Sequence, residues 1–164
     1  MLPDWAVVTA ERRAHIERVA GLLAQWATAL AVPATEAERW RRAAWLHDAL
    51  RDAPAATELD HGPMCADRLA RDGERDQGVL DAVRYHSLGF AGWDDVGRML
   101  YLADYLEPGR RFDASLRAAL RERMPGERGA VLRETARRRI EWVLRSSWEL
   151  KPETVAFWNA LVST

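Results

Sequence analysis

The chain holds four histidines, and all four fall into one ordered series with two aspartates: His15, His47-Asp48, His61, His86 and Asp104. No histidine stands outside it. Imidazole nitrogens and carboxylate oxygens together are the ligands of a divalent metal with mixed coordination. Taken singly, each residue is ordinary. A histidine on an amphipathic helix is more often packed or solvated than metal-bound, and an aspartate near a helix end is more often a cap. The joint pattern favours the metal. Asp104 adds to it, because it interrupts the apolar run Met99-Leu100-Tyr101-Leu102-Ala103, and a carboxylate in such a run needs a partner. His15, His47, Asp48 and Asp104 make four ligands and leave positions open on an octahedral ion. His61 and His86 are then candidates for a second metal site or for direct contact with phosphate.

Arginines stand near this series. Arg51 follows Asp48 by three and would share its helical face. Arg110 and Arg111 follow the Glu107-Pro108-Gly109 turn, close in sequence to Asp104. A guanidinium presents a planar fork that matches phosphate oxygens. Arg111 is read as solvated, whereas Arg51 and Arg110 are candidates for catalysis on a phosphate.

Helices must position these groups. Ile16, Val19, Leu23, Trp26 and Leu30 recur at steps of three and four after an N-cap candidate at Thr9. The spacing of Thr35 and Glu38 predicts a capping box that starts a second helix, running through Trp40, Ala44 and His47 and ending near the Asp52-Ala53-Pro54 break. Further helices are expected from about His61, from about Asp76 to His86, and from about Asp94 to Tyr105. Three more are expected over about 113–123, 127–148 and 152–162, punctuated by Pro125-Gly126 and Pro152. No alternating strand pattern of useful length occurs. The expectation is an all-α fold, one helical bundle of seven to eight helices filling a single domain over 1–164.

Composition narrows the function classes. The hydrophobic fraction of 48% with eight Trp gives ample material for one core, and the formal net charge is −1. That balance supplies no global reason to expect nucleic acid or an anionic membrane as partner. Lys151 is the only lysine among 24 basic residues, so the arginines as a class reflect composition and do not mark a binding motif. Cys65 is the only cysteine, which rules out an internal disulfide and fits a reducing compartment. No signal peptide pattern and no membrane span are legible. The expectation is a cytoplasmic protein.

The stretches AAWLHDALRDAP, HGPMCADRLA, DAVRYHSLGFAGW and MLYLADYLEPGRRFD, with the tail ELKPETVAFWNALV, resemble the YqeK-type HD domain of the HD superfamily of metal-dependent phosphohydrolases. The likeness spans roughly residues 10–162, and YLADYLEPGRRF is its most specific element. Proteins of this type split diadenosine tetraphosphate symmetrically into two ADP and use iron. The resemblance implies His15, His47, Asp48 and Asp104 as metal ligands. It implies that His61, His86, Ser87, the segment Asp48-Ala49-Leu50-Arg51, Tyr101 and Arg110 surround the nucleotide phosphates, and that Asn159 helps to shape the pocket. It further implies a divalent metal, iron with manganese as alternative, as one or two ions, and a dinucleoside polyphosphate as substrate. A homodimer is compatible with it. Arg51 stands where the family usually has Lys, Ser87 where it has Thr, and Trp158 where it has Arg. The segment between His47 and His61 is shorter than the family's. Two rivals remain at this point. One is another HD-type nucleotide phosphohydrolase, a nucleotidase. The other is a slow-turnover regulatory module that binds nucleotides, against which the complete ligand set argues.

Overall fold

The computed structural model describes residues 1–55 and 57–163. Among these, all regular structure is helical. Eight helices follow in order: α1 (Ala10–Ala29), α2 (Ala34–Leu46), α3 (His61–Arg71), α4 (Gln77–Tyr85), α5 (Asp95–Leu106), α6 (Ala114–Glu122), α7 (Arg128–Arg145) and α8 (Pro152–Val162). The all-α expectation and the helix count agree with this.

The starts of three helices are fixed by side chains that accept a free backbone N–H. Thr9 accepts from Arg12, Asp76 from Val79 and Asp94 from Val96, each worth about 1 kcal/mol. The capping box expected at Thr35 and Glu38 does not form. α2 begins two residues earlier, with an extended Pro33 as N-cap whose carbonyl takes the first helical bonds, so Thr35 lies inside the helix. The second helix also ends sooner than expected. His47 is its C-cap, and Asp48 begins a series of turns that runs to Asp52.

α5 is the central element. Every residue from Met99 to Leu106 is buried, and α1, α2, α4, α6 and α7 all pack against this helix. Trp26, Trp40, Trp93 and Phe157 close the core around it. At about 25 cal/mol per Å² of apolar surface, a core dominated by such side chains supplies most of the driving force. Asp104 is thus carried to the middle of the molecule by a helix that has no solvent-facing side there. A second, smaller cluster of Ala49, Cys65, Ala66, Leu69 and Val83 joins α3 to α4 and to the turn after α2. No helix among the described residues is long and apolar enough to cross a membrane.

Candidate metal centre

Five helices deliver one or two groups each. His15 lies on the buried stripe of α1 beside Ile16 and Val19. His47 and Asp48 leave the end of α2, His61 opens α3, His86 caps α4, and Asp104 comes from α5. The approach of α3 to α4 depends on Gly62. A Cβ there would stand 2.7 Å from the carbonyl oxygen of Arg84 and 3.0 Å from that of Val83. A glycine permits the backbone contact, and the contact brings His61 to His86.

Asp48 stands at the centre of the cluster. Its Oδ2 faces His47 Nε2 at 3.6 Å and His15 Nε2 at 3.7 Å. Its Oδ1 faces His61 Nε2 at 3.2 Å and His86 Nε2 at 3.3 Å. Asp104 Oδ1 lies 3.2 Å from His15 Nε2. The six side chains therefore form two sets sharing one carboxylate: an inner set of His15, His47, Asp48 and Asp104, and an outer set of Asp48, His61 and His86. All six are buried. Ligand-capable atoms of His15, His47 and Asp104 lie within 4.8 Å of one another, as do those of His47, Asp48 and His86.

The far nitrogens decide what this cluster can hold. Nδ1 of His47 donates to the Ala44 carbonyl at 2.8 Å, that of His61 to Glu58 at 2.5 Å, and that of His86 to Val83 at 2.8 Å. A carbonyl only accepts, so each Nδ1 carries the hydrogen. In the neutral rings every Nε2 is then a lone pair. Yet His61 and His86 bring these atoms to 3.0 Å, and His15 and His47 to 3.4 Å. Two lone pairs repel at such distances unless a cation lies between them. Two nitrogens bound at about 2.1 Å to an octahedral ion would stand about 3.0 Å apart. The donor set and its fixed tautomers fit a divalent metal, with the backbone acceptors in the place that supporting groups occupy in metal sites.

The electrostatics agree. Burial drives His47 down to about 4, so it is neutral and free to bind. For Asp48, burial alone would raise the pKa, but the surrounding imidazoles of His47, His61 and His86, whenever they take up a second proton, outweigh it and hold the carboxyl well below its usual range. Asp104 is likewise held down against burial by Arg110, His15 and Arg139. Glu107, the C-cap of α5, is held at about 2: burial opposes this, while hydrogen bonds from His15, Arg18 and the Gly109 N–H prevail. It accepts from His15 Nδ1 at 3.2 Å and so orients the one histidine that no backbone carbonyl fixes. His15 itself is raised, because its bonds to Asp104 and Glu107 outweigh burial.

A cleft of about 460 Å³ opens onto this cluster. Asp48, His61, His86 and Asp104 line its floor, while His15 and His47 lie beneath. Seven arginines line it: Arg12, Arg51, Arg110, Arg117, Arg138, Arg139 and Arg145. Arg12 donates to Asp48 Oδ2 at 2.7 Å, Arg110 to Asp104 Oδ1 at 2.6 Å, and Arg139 to Asp104 Oδ2 at 2.7 Å. Arg139 also reaches the His86 carbonyl at 3.0 Å, and its guanidinium lies 4.4 Å over the Tyr101 ring. Such a concentration of guanidinium around a cation site is suited to a polyanionic ligand.

The residues singled out in the sequence separate in space. The four inner residues, with His61 and His86, come together. Arg51, Ser87 and Arg110 line the cleft above them. Arg51 is held by Glu58, through its carbonyl at 3.2 Å and its carboxylate at 3.6 Å. Ala49, Leu50, Tyr101 and Asn159 do not line the cleft. Ala49 is packed into the smaller core cluster, and Leu50 borders a separate hollow with Trp5. Tyr101 is buried beneath Arg139 against Trp93 and Phe157. Asn159 is exposed on α8. Sequence reasoning missed Arg12, Glu107, Arg139 and the aromatic residues Trp142 and Trp148 at the cleft's edge. A signal existed for two of them. Arg12 precedes His15 by three on one helix face, and Arg139 continues the buried stripe Leu132-Ala136 of α7, the same anomaly that marks Asp104.

Residues 12–109 match the model of the HD domain family. Three curated relatives bear the name symmetrical bis(5'-nucleosyl)-tetraphosphatase. The one from Bacillus subtilis is 30% identical over 107 residues, 65% of this chain and 56% of that protein. The one from Halalkalibacterium halodurans is 28% identical over 106 residues, 64% of this chain and 56% of that protein. The one from Staphylococcus aureus is 38% identical over 55 residues, 33% and 28% respectively. The chain thus spans little more than half the length of the curated relatives it matches. A crystal structure from Clostridium acetobutylicum, described as a predicted HD superfamily hydrolase involved in NAD metabolism, superposes with a TM-score of 0.80 at 22% identity. It covers 95% of this chain and 91% of that one.

Proposed function

The chain belongs to the HD domain family, and on that premise we propose that it is a metal-dependent hydrolase that cleaves dinucleoside tetraphosphates at their centre, releasing two nucleoside diphosphates. The observation that carries the reading is one buried carboxylate, Asp48, shared by two histidine sets on the floor of a cleft lined by arginine. A monophosphate needs less positive charge than this cleft provides. The step from polyphosphate to symmetrical cleavage rests on the likeness to the named relatives.

His15, His47, Asp48 and Asp104 would hold the metal, and Asp48 with His61 and His86 would hold a second. Iron, with manganese as alternative, suits mixed imidazole and carboxylate ligands with open positions better than zinc does. When bound, the ion supplies Lewis acidity toward phosphoryl oxygen and an acidified water. The side chains do the rest. Arg51 and Arg110 neutralise charge spread over the phosphoryl oxygens, which is most of what such a transfer requires. Ser87 offers a hydroxyl beside them. With one ion in the inner set, a doubly protonated His61 or His86 would give its Nε2 proton to the departing diphosphate and be left as the neutral ring. With two ions they are ligands and that role lapses. In this reading the whole chain acts as one domain, since Arg139 ties α7 to Asp104 and to the His86 carbonyl.

Chromatography of the products of diadenosine tetraphosphate tests the proposal. ADP alone is expected. ATP plus AMP would place the attack off centre, and an inert tetraphosphate with rapid phosphate release from a nucleoside monophosphate would make the chain a nucleotidase. Elemental analysis of protein purified without added metal, followed by reactivation of the stripped form, tests the ion. Activity with zinc alone would overturn iron and manganese.

A further inference from the structure

The rim of the cleft carries a feature that neither the metal centre nor the arginines explain. Trp142 and Trp148 are 47% and 55% exposed and line the same cleft as Asp48 and His86. Their rings meet edge to face, with centroids 4.8 Å apart and planes at 83°. The end of α7 brings them together. The Trp148 N–H donates to the Val143 carbonyl and the Ser147 N–H to the Leu144 carbonyl, both at 3.1 Å, which is the Schellman pattern. The residue that takes the left-handed backbone there is Ser147, at φ 55°, where glycine is the usual occupant because a Cβ is disfavoured.

A helix cap accounts for an apolar residue at Trp148, and any aliphatic side chain would serve it. It does not account for two indoles left half open to solvent on the edge of a cationic cleft. Arg145, exposed on the same rim, has no acidic partner among the described residues. Indole faces beside a free guanidinium, continuous with arginines that face a metal centre, fit a ligand with a flat aromatic end and an anionic chain. We infer that Trp142, Arg145 and Trp148 form a shelf on which a nucleobase stacks while its phosphates enter the cleft. The inference rests on the reading that the ligand is a nucleotide. Stacking uses a face that every base has, so the shelf contributes affinity with little base preference.

Calorimetry with adenosine monophosphate and ribose 5-phosphate, which differ by the base alone, tests the shelf on the full chain. The wild type should bind the nucleotide about tenfold tighter than the sugar phosphate. Trp142→Leu and Trp148→Leu should each lose about tenfold for the nucleotide and leave the sugar phosphate unchanged. Leucine preserves the apolar contact of the helix cap, so a purely structural tryptophan would be rescued by it. Equal binding of the two probes by the wild type would overturn the inference, and this comparison needs no variant to fold. Wild-type nucleotide affinity in both leucine variants, or equal loss of both probes, would overturn it as well. The hydrolysis proposal fails separately. A chain that cleaves no tetraphosphate yet needs both tryptophans for nucleotide binding keeps the shelf, whereas normal cleavage with unchanged KM in both variants removes the shelf and keeps the hydrolysis.

Discussion

The floor of the cleft and the wall facing it are built on opposite terms. The floor, drawn from α1 to α5, is buried and rich in carboxylate, and each of its histidines is fixed by a second hydrogen bond. The wall, drawn from the segment between α5 and α6, from α6, from α7 and from the turn beyond it, is cationic, aromatic and half open to solvent. A floor of this kind selects a cation; a wall of this kind selects an anion with an aromatic end. The two should therefore fail differently. Damage to the floor should remove metal and turnover together. Damage to the wall should change substrate handling and leave the metal in place. Arg139 belongs to both, since it rises from α7 and ends on Asp104.

The largest effect is expected at Asp48, the only residue common to both histidine sets. Asp48→Ala removes ligand atoms from each and leaves Arg12 without its acceptor at 2.7 Å. Loss of a mere supporting partner costs roughly 10–100-fold in metal affinity or activity, so loss of the shared ligand should leave under about one hundredth of the rate. Metal content and turnover measured on one preparation should fall together. A variant that kept its metal would show the two sets to be independent and Asp48 to be dispensable as a link.

A supporting role is isolated at Glu107. It bonds His15 Nδ1 and Arg18, and its carboxyl is held at about 2. Glu107→Ala should weaken metal affinity by roughly 10–100-fold, read by competition with a chelator. Glu107→Gln should recover most of the loss, because an amide oxygen still accepts from Nδ1. Equal loss in both variants would mean that the negative charge, and not the orientation of His15, is what the site requires.

The two regions also differ in how far the sequence reveals them. The floor is made of scarce side chains. With four histidines in 164 residues, an ordered series that uses all of them stands out, and Asp104 stands out against its apolar helix. The wall is made of the chain's commonest cation. Arg139 sits in the run Arg137-Arg138-Arg139, where nothing but its phase on the helix separates it from two neighbours that pair with Glu134. Trp148 was illegible for a different reason, because its position depends on a left-handed Ser147 that sequence pattern does not announce. The boundary of α2 shows the same limit. The capping signal at Thr35 and Glu38 is real as a pattern, but a Pro33 already extended sets the start two residues earlier.

Arg110 sharpens the division, because its guanidinium lines the cleft yet rests on Asp104 Oδ1, the oxygen that also faces His15. If it serves the phosphate, Arg110→Ala should lower turnover about tenfold while metal affinity holds or tightens, since a competing cation has left the carboxylate. Chelator competition and turnover on one sample separate the cases. A fall in metal affinity would move Arg110 from the wall to the floor.

The smallest effect is expected at Asn159, and it is informative for that reason. Resemblance alone suggested that this residue shapes the pocket, but it is exposed on α8 and does not line the cleft. Its backbone carbonyl accepts from the Ser163 hydroxyl and N–H at the end of the helix, and a substitution leaves that carbonyl in place. Asn159→Ala should therefore change stability by no more than about 0.5 kcal/mol, as exposed substitutions commonly do, and leave turnover within about twofold. The adjacent Phe157 is buried against Tyr101 and Trp93, so α8 meets the core through that face and not through Asn159. A tenfold loss of turnover in Asn159→Ala at unchanged melting temperature would show that α8 swings over the cleft when substrate binds. The wall would then have a third, movable part.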